Sequence, residues 1–267
     1  MFAKLLKHEF LATWRMLGAV VGAAWAVSLM ALIPTWLNVP LIGLAGQSLA
    51  ALGFILGGVA VLFLLGVHYW RTMYSGPGYF THSLPVRGRT IFAAKVTYII
   101  PVSVAALAAG FVLGTFLPGM ATADSATQLR AVWDAMMTVM SPGQFWAIVI
   151  VTAVCCAAEL LIYLCAITLG TRGAFNRMGL GGVVLAVVIC HMAMQIVAAV
   201  ALFVVPLSVR ISATGMGGVV VQPMGLDFLN GKVPELLGVG WFPMYIVLAI
   251  VASIWAARSV DRHTCLV

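Results

Sequence analysis

Residues 68 to 95 read HYWRTMYSGPGYFTHSLPVRGRTIFAAK, a polar and basic interruption between two runs apolar enough to cross a bilayer. A spanning helix needs about 20 mostly apolar residues, and the windows on either side, near residues 48 to 70 and 90 to 117, meet that test. Four more windows, near residues 17 to 37, 144 to 170, 180 to 205 and 240 to 257, bring the expected spans to six. The whole chain agrees. Its 267 residues are 63% hydrophobic and 8% charged, with a mean hydropathy of +1.12, more apolar surface than one soluble core buries. The runs are uniformly apolar, with no alternating ten-residue strands, so helices rather than a barrel must satisfy the backbone. The expected fold class is all-α integral membrane, with six transmembrane helices in a single domain over residues 1–267.

Orientation follows from the basic residues, because Lys and Arg beside short loops stay cytoplasmic. Lys4, Lys7, Arg15, Arg71, Arg87, Arg89, Lys95, Arg172, Arg177, Arg258 and Arg262 fall on one side. Only Arg130, Arg210 and Lys232 fall on the other. This asymmetry predicts a multi-pass protein of a cell membrane with both termini in the cytoplasm. It also accounts for the net charge of +7 through topology and anionic lipid. A nucleic-acid partner is not expected, since no soluble, aromatic-interleaved basic surface exists to bind one.

Three segments outside the spans have readable character. The start, MFAKLLKHEFLATWRMLG, has a basic beginning but no good cleavage site after it, so it is read as part of the mature chain. On a helical wheel Lys4, Lys7, His8 and Arg15 share one arc and Phe2, Leu5, Leu6, Phe10, Trp14 and Leu17 the opposite one, with Glu9, Leu11 and Thr13 as exceptions. That predicts an interfacial helix over residues 1–16. Asp124 to Met140 forms a second amphipathic wheel, with Leu129, Val132, Trp133, Met136, Val139 and Met140 against Thr127, Arg130, Asp134 and Thr138, and reads as a helix on the outer surface. Residues 206–239 are apolar but broken by Pro206, Gly215, Gly217, Gly218, Pro223, Gly225, Gly231 and Pro234. They are read as an outer re-entrant hairpin before span six, with an exposed loop as the simpler alternative.

Inside the spans, Glu159 is the only acidic residue expected, and a carboxylate near mid-bilayer costs at least about 2.5 to 3.5 kcal/mol. His191 and Gln195 are its nearest partners by type and depth. The pair reads either as part of a translocation path or subunit seam, or as an interhelical hydrogen bond that fixes packing. Gly18 and Gly22, Gly53 and Gly57, and Ala106, Gly110 and Gly114 are small residues four apart that let helices approach closely. Cys155, Cys156, Cys165 and Cys190 lie in spans and Cys265 near the terminus, so all five read as apolar packers rather than disulfide partners. No Walker A, HExxH or Gly-x-Ser-x-Gly pattern occurs, and neither a phosphate cradle nor standard hydrolytic chemistry has its parts here.

An amphipathic basic start, two spans, a cytoplasmic stretch ending in a Leu-Pro-Val turn that enters the third span, and a broken segment before the sixth together resemble the membrane subunits of ABC-2 type exporters. The likeness covers nearly the whole chain in architecture. At residue level it lies in Tyr69, Trp70 and Arg71, then Gly78, Tyr79, Phe80, Thr81, Ser83, Leu84, Pro85, Val86 and Lys95. Ser75, Gly76 and Pro77 stand where relatives usually have acidic residues, and Arg87 stands near their Ser. The resemblance implies that residues 72–84 contain a coupling helix, with Tyr74, Tyr79, Phe80, Thr81, Leu84 and Arg87 meeting a separate ABC ATPase subunit.

It implies further that a bacterial permease pairs with a second copy or a related chain and binds no cofactor itself, ATP and Mg being held by the partner. The expected activity is ATP-driven export of an amphipathic, peptide, drug or lipid-like substrate by alternating access. Phe54, Glu159, His191, Met192, Met194 and Gln195 are the expected cavity or seam residues, because Met and Phe surfaces adapt to varied apolar ligands. The residues themselves also permit plainer readings of the opening stretch, as a connecting loop obeying the positive-inside rule, and of the chain, as an intramembrane enzyme using Glu159 and His191 or a non-transporting scaffold. Lys95, with Arg87 and Arg89, is expected to anchor the third span at the lipid headgroups.

Overall fold

The computed structural model describes residues 2–37, 39, 41–76, 78–83, 85–120, 125–212, 215–225 and 236–262. Six helices among them are long and apolar enough to span a membrane: α1 (Phe2–Ala31), extended by the single turn α2 (Ile33–Trp36), then α3 (Ile42–Tyr74), α5 (Gly88–Met120), α7 (Pro142–Gly170), α9 (Leu180–Val204) and α10 (Trp241–Arg262). By length and composition the chain is a multi-pass membrane protein. Shorter helices are α4 (Gly78–His82), α6 (Ser125–Val139) and α8 (Gly173–Asn176), and three strands are β1 (Ser208–Ser212), β2 (Gly215–Val220) and β3 (Leu236–Gly238). The contacts divide the chain into two compact units, residues 1–134 and 135–267, the division falling inside α6.

In the first unit α1, α3 and α5 pack on one another around a core of Leu32, Ala50 and Phe54, bordered by Trp25, Leu113 and Leu117. Glycines set the spacing of α3 and α5. A Cβ on Gly58 would stand 2.7 Å from the Ala106 carbonyl oxygen, and one on Gly110 would stand 2.6 Å from that of Phe54, so any side chain at either position forces the helices apart. Gly53 and Gly57 turn instead toward Ser28 and Trp25 of α1, while Gly18 and Gly22 have open space around them. Helix α1 runs without a break from the amphipathic start into the first span, and its buried face is Glu9, Thr13, Leu17 and Ser28. Two of those residues, Glu9 and Thr13, are exceptions on the amphipathic wheel. The polar residues out of place for a surface helix are the ones that pack.

In the second unit α7, α9 and α10 enclose Ala158, Ile162, Met194, Tyr245 and Ala249. The start of α7 is fixed by a capping box: Gln144 N donates to Ser141 Oγ, Ser141 N donates to Gln144 Oε1, and Pro142 occupies the first turn, satisfying donors that a helix start leaves unpaired. The same Gln144 donates through Nε2 to the Met216 carbonyl of β2. In the segment 206–239 the described residues form an antiparallel sheet of order β2-β1-β3, with Val209 opposite Val219 on one side and Leu237 on the other. Strand pairing thus takes up backbone groups that an irregular glycine-rich loop would leave open. Residues 226–235 of that segment lie outside the described residues.

Candidate functional site

The first and last residues of the stretch 68–95 meet at one side chain. Glu9, on the buried face of α1, receives Lys95 Nζ at 2.6 Å on Oε1 and lies 2.9 Å from His68 Nε2 through Oε2. Lys95 also donates to Thr72 Oγ1 at 2.8 Å, and that hydroxyl donates to the His68 carbonyl at 2.7 Å. One turn along α1, Thr13 donates to the Glu9 carbonyl, so the Tyr98 hydroxyl is the donor in its short contact with Thr13 Oγ1. Three helices therefore close on one carboxylate. Removing either charge would strand the other in a water-poor place, at a cost of several kcal/mol.

This arrangement corrects two expectations. Lys95 is only 2% exposed and does not sit at the headgroups, because its face of α5 turns toward α1 and α3, where Glu9 offers the opposite charge. Glu159 is not alone among acidic residues in the long apolar helices, because α1 is continuous and carries Glu9 within it. The sequence did hold a signal. Glu9 with Thr13 and His68 with Thr72 are polar pairs four apart, and each pair marks one side of a helix.

Between these anchors the chain turns out and back. Ser75 is extended, Gly78 N donates to the Ser75 carbonyl at 2.6 Å, and α4 follows for little more than a turn. Ser83 closes it, its N–H reaching the Tyr79 carbonyl and its Oγ the Phe80 carbonyl. Tyr79 is 63% exposed and Phe80 80% exposed, two large rings side by side in sequence on one short helix. Thr81 is half-buried and Arg87 exposed. Tyr74 is buried, its ring edge-on to Tyr69 of the same helix at 6.1 Å. Leu84 and Pro77 lie outside the described residues.

The second unit carries its own polar cluster. Tyr163 of α7 and Tyr245 of α10 stand close to Glu159 of α7, and His191 Nδ1 of α9 lies 3.5 Å from its Oε1. Tyr163 Oη and His191 Nδ1 are 2.8 Å apart, and the Gln195 amide lies 3.4 Å from His191 Nε2. Trp241 packs edge-on to Tyr245 with ring centres 5.9 Å apart. Glu159 and His191 keep 24% and 34% of their side chains exposed. Beside the cluster α7, α9 and α10 leave an apolar groove of about 360 Å³.

Glu159, His191 and Gln195 are thus brought together, as type and depth suggest. Met194 lies in the same packed cluster, buried, while Met192 is exposed. Phe54 belongs elsewhere. It is 1% exposed in the core of the first unit, where its ring fills space rather than lining a cavity. Among the described residues no three His, Cys, Asp or Glu side chains gather in a way that could hold a metal ion. The described cysteines are free, and Cys265 lies outside the described residues. The chain matches no protein-family model, no curated protein and no solved structure.

Proposed function

We propose that this chain is the permease subunit of an ABC-2 type exporter, working with a second copy or a related permease and with separate ABC ATPase subunits that hold ATP and Mg. The observation that carries the reading is α4. It is a short helix with two exposed aromatic rings, held between two long helices whose facing ends are tied to Glu9. Exposed aromatic rings are the kind of anchor that dominates protein interfaces. The basic asymmetry would put this foot, with both termini, on the cytoplasmic side of a cell membrane, and the strands β1 to β3 on the outer side. ATP-driven closure of the ATPases would push on α4, and the tie at Glu9 would carry the displacement into α1, α3 and α5, rocking the bundle between inward and outward access.

The direct test is purification from the native host under mild conditions. Co-purification of an ATPase whose hydrolysis is stimulated by an amphipathic substrate supports the proposal; a chain that elutes without one, and confers no ATP-dependent transport, overturns it.

The adjacency of Glu159 and His191 favours a second reading, an intramembrane enzyme that uses the two as acid and base. Catalytic metal sites use about three protein ligands, and the cluster supplies a carboxylate and one imidazole. Stoichiometric zinc or peptidase activity in the purified protein would move this reading ahead of the exporter.

A further inference from the structure

The Glu159 cluster and the apolar groove lie next to each other on the same helices, with Ile162 and Met194 between them. On α7, Glu159, Ile162 and Leu169 are spaced three and seven apart, and on α10 Tyr245, Leu248, Ala252 and Trp255 are spaced three, four and three apart. Each set keeps to one side of its helix. Ile162 and Met194 border both parts, packing against Tyr245 in the cluster and lining the groove. From Glu159 to Leu169 cluster and groove together run about 15 Å along α7, at about 1.5 Å per residue. One end is polar and aromatic. The rest, down to Trp255, is apolar.

We infer that cluster and groove together bind an amphipathic organic cation, its ammonium at Glu159 and its apolar tail along the groove toward Trp255. The sign follows from the residues. Glu159 is the acidic member of the cluster, and Tyr163 and Gln195, which meet His191 beside it, are uncharged side chains. A partly exposed carboxylate beside Tyr163 and Tyr245 combines the two features that recognise an alkylammonium group, an opposite charge and electron-rich rings. The orientation follows from the far end. There the Arg172 guanidinium stands 5.4 Å from the centre of the Trp255 ring and donates to the Ser259 carbonyl at 2.9 Å. The groove lining at that end is apolar, so it suits a tail, which meets the indole. The inference rests on the exporter proposal for what becomes of the ligand and names the class of its cargo, but binding itself needs no ATPase.

The test is equilibrium binding of radiolabelled dodecyltrimethylammonium to the full chain in lipid nanodiscs, with binding to empty nanodiscs subtracted. Unlabelled dodecyltrimethylammonium, dodecyl sulfate and dodecanol serve as competitors. The cation should compete at concentrations about tenfold or more below those of the other two. Glu159→Gln should abolish that preference while leaving competition by dodecanol unchanged, and Ala252→Trp, which fills the groove, should weaken all three tails alike. Equal competition by cation and sulfate in the wild-type protein overturns the inference even if Glu159→Gln does not fold. So does a cation preference that survives Glu159→Gln, or unchanged binding in Ala252→Trp. Selective binding without ATP-dependent transport would leave the site and remove the exporter; a co-purifying, substrate-stimulated ATPase without cation preference would do the reverse.

Discussion

Lys95 Nζ lies 2.6 Å from Glu9 Oε1, and the two residues are 86 positions apart in the chain. The lysine is the last residue of the basic stretch and the glutamate stands near the start of the first helix. Their contact, with His68 on the other carboxylate oxygen, closes a ring that α1, α3 and α5 all enter. Exposed α4 hangs from that ring. On the exporter proposal, a motion imposed on α4 would reach three long helices through this pair of buried charges.

The ring predicts a non-additive pattern of stability. Lys95→Met leaves the Glu9 carboxylate buried with one partner fewer and should destabilise the first unit by about 3–5 kcal/mol. Glu9→Leu alone should cost a similar amount. The double variant should recover much of the loss, because replacing a buried pair with apolar side chains is often nearly neutral. Thermal unfolding in one detergent, over the complete mutant cycle, gives the coupling. Strictly additive losses would mean that the two charges do not interact.

Packing of α3 against α5 makes a second prediction. A side chain at Gly110 meets the Phe54 carbonyl and the Gly58 backbone, so Gly110→Leu should cost about 1–3 kcal/mol through forced separation. Gly18→Leu, where nothing stands within 4 Å, should unfold like the parent. Both glycines sit in small-residue pairs four apart, so spacing alone would rank them equally. Equal melting temperatures for the two variants would show that the close approach is not sustained in lipid.

Topology is open to a direct check. The asymmetry of Lys and Arg places Ser75 and Ser125 on opposite faces of the membrane. Single cysteines introduced there, in a protein whose five native cysteines are replaced, should react with an impermeant maleimide from opposite sides, Ser75→Cys only after the membrane is opened. Labelling of Ser75→Cys from outside, with Ser125→Cys reacting only after the membrane is opened, would reverse the orientation and remove α4 from the cytoplasm; labelling of both from the same side would mean that α5 does not cross.

What could be read without coordinates divides along physical lines. Apolar runs long enough to span are a local property, and all six appear as helices, as does the amphipathic segment that forms α6. Glu159 and His191 could be paired because few polar groups share that depth, and an isolated one is costly. The tie at Glu9 was hidden by an ambiguity of charge. Lys4, Lys7 and Arg15 make the start of α1 look like a surface helix, and Lys95 beside Arg87 and Arg89 looks like a headgroup anchor, although Glu9 and Thr13 contradict the first reading from within the same wheel. The sheet was hidden for another reason. Its strands are short, rich in glycine or split by residues 221 to 235, and β1 with β3 is a non-local pairing that no periodicity of either strand announces. Tyr74 and Phe54 show the remaining limit, since an aromatic ring suits a docking face, a cavity wall and a core equally well.

The last prediction concerns the two rings that α4 displays. If Tyr79 and Phe80 press into a groove of an ATPase subunit, replacing both with alanine should weaken that association by about 2 kcal/mol or more, the range of dominant interface residues. The first unit should keep its fold, because neither ring is buried in it and the tie at Glu9 involves neither. Two measurements on Tyr79→Ala/Phe80→Ala separate the causes: co-elution of the ATPase, and stimulation of ATP hydrolysis by substrate. Loss of co-elution with an unchanged melting temperature assigns the rings to docking. Retained co-elution with lost stimulation assigns them to transmission of the push, and Glu9→Gln should then share the phenotype, since it weakens the tie through which α4 reaches the bundle. Unchanged values for both would reduce α4 to a connector, and the exporter proposal would lose the observation that carries it.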